Sequence, residues 1–581
     1  MIKTKNKTET SAKFLFAVAA GFSIVAVFAI ILFILGAAIP AFREVGFFKF
    51  LFGTEWFPNG ERYGVFPMIV ATLAVTVGAL LFGGAVGVFA AVFLVYFCPK
   101  RLKGVFNQIV VLLAGIPSII YGFFGMIVLL PALKTLFGAE SGSGLLASSL
   151  ILGIMILPTV ASLTKNALES VPASYAEGSL ALGANKYQTV FKVLLPAAKT
   201  GILSAFTLGA GRAIGETMAV LVVCGNSAFF PDGLFSPIRP LTVNIVNEMG
   251  YALGTHRSAL FATGFILLVF ILLLNGLLAF IKRNKKPAEG KTKTKKLVTE
   301  TVERTKTQFV YRKTGGVQRF LSVLSCAFGV LVVAVFGVLV GYILVNGLPN
   351  LSLNFLFGDP SYSKPTLQGA FISTGWIILI SLLIAIPIGT AAAIFLVEYT
   401  KVGSRLVKAV RLFVDTLSGI PSIIFGLFGT IAFCAGGKSL VAGALTLSLM
   451  ILPTVIRSVE ESLLAVPQSM REGSLALGAS KVRTIFKVVL PSAISGVVTA
   501  IVLSVGRIVS ESAALIFTAG SMPMSPSSPL DGGSTFAVLM YRFTAEKPNF
   551  PAAYATAATL LILVFAINLL VLLVEKKLKR K

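Results

Sequence analysis

Two copies of one charged pattern stand inside long apolar stretches. The first reads Gly211-Arg212-Ala213-Ile214-Gly215-Glu216 and the second Gly506-Arg507-Ile508-Val509-Ser510-Glu511. Arg and Glu are four residues apart in each copy, which puts them on one face of a helix. A charge at the centre of a bilayer costs about 2.5–3.5 kcal/mol even on insertion-derived scales, so all four side chains are expected to face the protein interior. The guanidinium forks of Arg212 and Arg507 suit a tetrahedral oxyanion held by bidentate hydrogen bonds. On that reading Glu216 and Glu511 hold the arginines while the site is empty and keep the anion from binding too tightly. The alternative is a structural ion pair between helices.

A second repeated pattern, Gly115-Ile116-Pro117-Ser118, recurs as Gly419-Ile420-Pro421-Ser422. Proline removes a backbone hydrogen bond and kinks a helix. Freed backbone groups at membrane depth are tolerated where they are buried in protein or line a cavity. Gly115, Pro117, Ser118, Gly419, Pro421 and Ser422 are therefore either pathway-lining residues or parts of a packing kink. Asp415 has no charged counterpart at the aligned Val111 and lies one helical turn after Arg411, which predicts a local salt bridge. The only histidine, His256, falls in a loop beside Arg257, with no proton relay around it.

A third repeated pattern lies between spans. The first copy reads Glu177-Gly178-Ser179-Leu180-Ala181-Leu182-Gly183, followed by Val193, Leu195 and Pro196. The second reads Glu472-Gly473-Ser474-Leu475-Ala476-Leu477-Gly478, followed by Val488, Leu490 and Pro491. In the first copy Leu180, Leu182, Val190 and Phe191 are expected to form an apolar strip on a short helix–turn–helix, with Lys186 and Lys192 in water. Gly183 ends the first helix, and Pro196 sits near the start of the next span. Such a protruding amphipathic helix suits a groove on a partner; the bland alternative is a helix lying on the membrane surface.

The elements that must position these residues follow from composition. The 581 residues are 56% hydrophobic and only 13% charged, about half the charge of a soluble domain. Spanning helices need about 20 apolar residues. Six candidates fall at roughly 14–39, 66–97, 105–130, 145–164, 195–223 and 258–281, and six more at roughly 320–346, 369–397, 406–434, 440–457, 490–519 and 551–574. The first is too long for the core of a signal peptide and reads as a retained span. The chain thus divides into a first half, 1–281, a basic linker, 282–318, and a second half, 319–581.

The net charge of +27 is concentrated beside apolar runs, which marks topology rather than nucleic-acid binding. Basic residues cluster in the linker, at both ends of the chain and in alternate loops, which predicts that both termini are cytoplasmic. The stretch Ile156–Ile202 aligns without gaps on Ile451–Val497, with 26 of 47 positions identical. Six helices per half make the repeats parallel, related by a pseudo-twofold axis along the membrane normal. The expected fold is all-α and integral to the membrane: two parallel-repeated six-helix bundles with the pathway between them and Arg212 meeting Arg507 near the axis.

Enzymes are disfavoured, because one histidine and four scattered cysteines (Cys98, Cys224, Cys326, Cys434) make neither a metal cluster nor a nucleophile–base pair. The run Ala432-Phe433-Cys434-Ala435-Gly436-Gly437-Lys438-Ser439 lacks the first glycine of a phosphate-binding loop. No nucleotide site is expected in this chain.

The spacing in both interspan loops resembles the signature of ABC-importer permeases, with Gly-Ser for the usual Ala-Ala and Val for Ile. The pairing of Gly-Ile-Pro-Ser with Gly-Arg-x-x-x-Glu resembles the two permease subunits of the high-affinity phosphate (Pst-type) importer, here fused. The resemblance covers nearly the whole chain outside the linker. It implies a dimer of ABC ATPase subunits docked at Glu177, Gly183, Leu195, Pro196, Glu472, Gly478, Leu490 and Pro491. It further implies that ATP and Mg are bound on those partners, and that an extracytoplasmic phosphate-binding protein delivers the substrate. Competing readings are an importer of another oxyanion (molybdate, sulfate, phosphonate) and, from a different class, an ion-coupled anion carrier or channel.

Overall fold

The computed structural model describes residues 7–283, 316–360, 365–400 and 404–579; most of the expected linker, 284–315, lies outside them. In lipid every backbone polar group must be satisfied within the segment, so long apolar runs become helices. In the first repeat these are α1 (Lys7–Val45), α2 (Phe66–Phe97), α3 (Lys100–Gly115), α4 (Ser118–Phe137), α5 (Leu145–Glu169), α6 (Lys199–Gly215) and α7 (Gly254–Arg283). The second repeat follows with α8 (Gly316–Gly347), α9 (Gln368–Tyr399), α10 (Arg405–Gly419), α11 (Ser422–Ala432), α12 (Leu440–Ala465), α13 (Ile494–Ser510) and α14 (Phe550–Lys579). Among the described residues nine helices are long and apolar enough to cross a membrane, and twelve if each of three bent pairs is one span.

The bent pairs correct two expectations. The span expected at 406–434 is two helices, α10 and α11, meeting at 98°. Its counterpart at 105–130 is likewise divided into α3 and α4. The proline therefore does more than kink the helix: two extended residues, Ile116-Pro117 and Ile420-Pro421, interrupt it. The spans expected at 195–223 and 490–519 also stop early. Each ends at the residue before the glutamate, and a short helix follows, Met218–Leu221 in one repeat and Ala513–Thr518 in the other.

The repeats exchange their first helices. α1 packs along α9, α10 and α11 of the other repeat, while α8 packs on α2 and α3 of the first. Aromatic pairs fix the first of these seams: Phe28 meets Phe413 at 5.4 Å and Phe33 meets Phe428 at 5.7 Å. On the second, the Phe93 ring fills the space beside Gly329. Without a hydrophobic drive between helices in lipid, small residues allow the close approaches. At Gly83 a Cβ would stand 2.0 Å from the Gly153 carbonyl, so α2 and α5 touch backbone to backbone. The buried apolar core runs continuously through both repeats.

Candidate functional site

Four helices end at breaks that carry the repeated patterns. α3 and α10 end at Gly115 and Gly419, and α6 and α13 end beside Glu216 and Glu511. The breaks touch across the repeat boundary: a Cβ on Gly215 would lie 3.2 Å from the Cβ of Pro421. Gly115 packs against the Asn568 amide of α14, and Gly419 against the Asn275 amide of α7. Within the first repeat, the buried Tyr121 hydroxyl donates to the Leu113 carbonyl at 2.7 Å and so bridges the break. Ser118 and Ser422 begin α4 and α11 and are half-buried.

The arginines and glutamates sit here, though not as an ion pair on a shared helix face. Glu216 and Glu511 lie past the helix end in extended conformation. Glu216 accepts from the backbone N–H groups of Met218 (3.1 Å) and Ala219 (3.3 Å), and Glu511 from that of Ala514 (3.3 Å). Each carboxylate thus caps the short helix that follows it. Arg212 donates to the Thr159 hydroxyl at 2.8 Å, and Arg507 to the Thr454 hydroxyl at 3.3 Å. Both arginines are half-buried.

This arrangement has a chemical consequence. Two glutamates offset two arginines. What remains is donor capacity: a guanidinium carries five N–H donors, and the hydrogen bonds seen for Arg212 and Arg507 go to one threonine hydroxyl each. With the carboxylates turned to backbone N–H groups, both forks keep donors open for an anion.

Thr159 and Thr454 were not singled out from the sequence. The signal was present, since Ile156-Leu157-Pro158-Thr159-Val160 recurs as Ile451–Val455. Asp415 pairs with Arg457 rather than with Arg411, and Arg411 pairs with Glu460, its Nε to Oε1 at 2.9 Å. Both pairs join α10 to α12.

The interspan loops form as a helix, a turn and a second helix. Ala173–Ala181 and Gln468–Ala476 bury none of their residues. Gly183 and Gly478 end these helices at φ +80° and +82°, a conformation that favours glycine. The expected apolar strip divides. Val190 is buried under α2 and α5, with Phe191 packed beside it and facing Phe97, while Leu182 and its counterpart Leu477 are 90% and 91% exposed. Lys186 lies over the Phe97 ring and Lys481 over the Tyr399 ring, at 5.2 and 4.7 Å. Glu177 and Glu472 are exposed; Leu195 and Leu490 are half-buried, and Pro196 and Pro491 sit just before bends of 66° and 63° into α6 and α13. Two apolar side chains presented to solvent at the same place in two repeats can seat a partner.

On the opposite face, His256 is not in a loop but in the first turn of α7, where its ring meets the buried Glu248 at 2.8 Å. Glu248 also accepts from Trp56 Nε1 (2.8 Å) and Arg239 (2.7 Å). The short ribbon pairing Trp56 with Tyr63 brings both rings beside His256.

Residues 83–287 and 385–580 each match the family described as the binding-protein-dependent transport system inner membrane component. The chain is 31% identical over 536 residues to the phosphate transport system permease protein PstA homolog of Mycoplasma pneumoniae, covering 82% of this chain and 80% of that one. It is 37% identical over 242 residues to the probable ABC transporter permease protein YqgH of Bacillus subtilis, covering 41% of this chain and 78% of that one. The phosphate transport system permease protein PstC of Pasteurella multocida is 36% identical over 268 residues, again covering 41% of this chain and 83% of its own length.

Proposed function

The chain belongs to the family of binding-protein-dependent transport system inner membrane components, and from that membership we propose that it is the membrane permease of an ATP-driven importer of inorganic phosphate. The observation that carries the reading is the placement of Arg212 and Arg507 on the helices that end at the breaks, each bonded to a threonine hydroxyl, in a chain similar along most of its length to a phosphate permease homolog. Relatives that match only about 41% of this chain are separate permeases, which supports a fusion of two such subunits.

In this reading ATP hydrolysis belongs to partner chains. An ABC ATPase dimer docks on the loops around Glu177 and Glu472, with Leu182 and Leu477 as apolar anchors, and ATP and Mg bind there. The loop face, which also carries Lys7 and the end of α14, is the cytoplasmic one. A phosphate-binding protein delivers the anion to the opposite face. Closure of the ATPase dimer moves the two repeats against each other about the Gly215–Pro421 junction, an alternation between two bundle arrangements. The anion is held in passage by Arg212 and Arg507, with Ser118, Ser422 and the backbone at Gly115, Pro117, Gly419 and Pro421 lining its route. Uptake of labelled phosphate by the reconstituted complex, with sulfate, molybdate and phosphonate as competitors, tests substrate and energy source together. Uptake that persists without the ATPase, driven by an ion gradient, would refute the importer.

A further inference from the structure

The second repeat carries a ladder of polar pairs that the first carries only in part. Thr454, Arg457 and Glu460 are three residues apart on α12, each step about 4.5 Å of helix rise. Their partners are Arg507 of α13, then Asp415 and Arg411 of α10. The ladder descends from the helix breaks toward the docking-loop face. In the first repeat the upper rung is Arg212 with Thr159, and the lower rung is Lys165, whose Nζ donates to Asn107 at 2.7 Å. The aligned middle positions there are Ser162 and Val111, which carry no charge.

The middle rung is also the most open. The side chains of Arg457 and Asp415 are 46% and 63% exposed, whereas in the lower rung Arg411 is 49% exposed but its partner Glu460 only 10%. Arg457 is exposed on a helix whose neighbouring residues Val455, Ile456, Val459 and Glu460 are all buried. Within membrane-spanning helices an open charge pair is tolerated against internal water and not against lipid. Such a pair is weak and exchanges readily with other partners.

We propose that Arg457 is a second anion station, on the docking-loop side of Arg212 and Arg507, and that Asp415 is the carboxylate the anion displaces from it. This rests on the importer reading above. An anion released by Arg507 meets Arg457 one helical turn beyond Thr454 on α12, and Asp415 then competes it off, so that binding stays weak enough to leave. The exit runs along the second repeat alone.

The test uses the complete transporter, reconstituted with its ATPase and binding protein, and labelled inorganic phosphate. Arg457→Gln is expected to slow uptake about tenfold, the loss of one charge-assisted contact. Asp415→Asn is expected to keep more uptake than Arg457→Gln, because the station survives. In a functional background lacking Cys98, Cys224, Cys326 and Cys434, Arg457→Cys should recover uptake after modification by a cationic aminoethyl reagent and not by an anionic sulfonate one. A structural brace predicts instead equal losses in Arg457→Gln and Asp415→Asn with no recovery by the cation, and that result overturns the station. So does normal uptake by Arg457→Gln while Arg507→Gln is inactive. Absence of phosphate uptake in the unaltered complex would fell the importer reading, and the station with it.

Discussion

Gly215, the last residue of α6, lies against the Pro421 ring, with 3.2 Å between the position a Cβ would take and the proline Cβ. This contact joins the break beside one arginine to the break in the other repeat. An added methyl must displace the ring by a few tenths of an ångström, and a branched side chain by more. Gly215→Ala is expected to keep a folded protein with uptake reduced a few-fold, and Gly215→Val to lose most uptake while still reaching the membrane. Uptake and membrane abundance, measured together, check this.

Thr159 and Thr454 aim the arginines. Thr159→Val and Thr454→Val keep shape and remove the acceptor, worth about 0.5–1.5 kcal/mol, or roughly two- to tenfold in rate. The expected signature is slower phosphate uptake with unchanged retention of the ATPase on purification.

Leu182 and Leu477 are almost wholly exposed and bury nothing within this chain. Leu182→Asp with Leu477→Asp should leave the melting temperature of the isolated permease unchanged and abolish copurification of the ATPase. A fall in thermal stability without loss of the partner would contradict the docking assignment.

Gly183 and Gly478 occupy the left-handed region. A β-branched side chain there costs about 1–2 kcal/mol of backbone strain. Gly183→Val or Gly478→Val should fray the adjoining exposed helix, seen as faster amide exchange confined to that loop, and weaken ATPase retention.

Glu248 is buried with three donors converging on it, from Trp56, Arg239 and His256. Glu248→Ala leaves the Arg239 charge uncompensated, and a broken buried pair costs about 3–5 kcal/mol. A large drop in melting temperature is expected, reproduced in smaller measure by Trp56→Phe.

Much of this was readable in the sequence because it was written twice. The repeated Gly-Arg-x-x-x-Glu and Gly-Ile-Pro-Ser patterns marked where the helices are interrupted without showing that they are, and the interspan-loop pattern marked the protruding helices. The apolar runs located the spans, with ends off by up to eight residues, as at 440–457 against Leu440–Ala465. The divided spans were missed because hydropathy reads Ile116-Pro117 and Glu216-Thr217 as short flaws in an apolar run, whereas the backbone there turns extended. Helical spacing put Glu216 beside Arg212, but a carboxylate just past a helix end is drawn to the open N–H groups of the next helix. The Glu248 cluster takes Trp56 from 192 positions upstream, and no local pattern marks it. Asp415 met Arg457 instead of Arg411 because α10 faces α12 at that depth, a tertiary fact with no sequence period.

The most direct test of the central claim is ATP-dependent uptake of labelled phosphate by the reconstituted complex, comparing the unaltered chain with Arg212→Gln and Arg507→Gln. The arrangement of the breaks predicts uptake that requires ATP and falls by about ten- to a hundredfold in either variant, with the ATPase still bound. Undiminished uptake in both variants would contradict the assignment of the two arginines as the anion's passage.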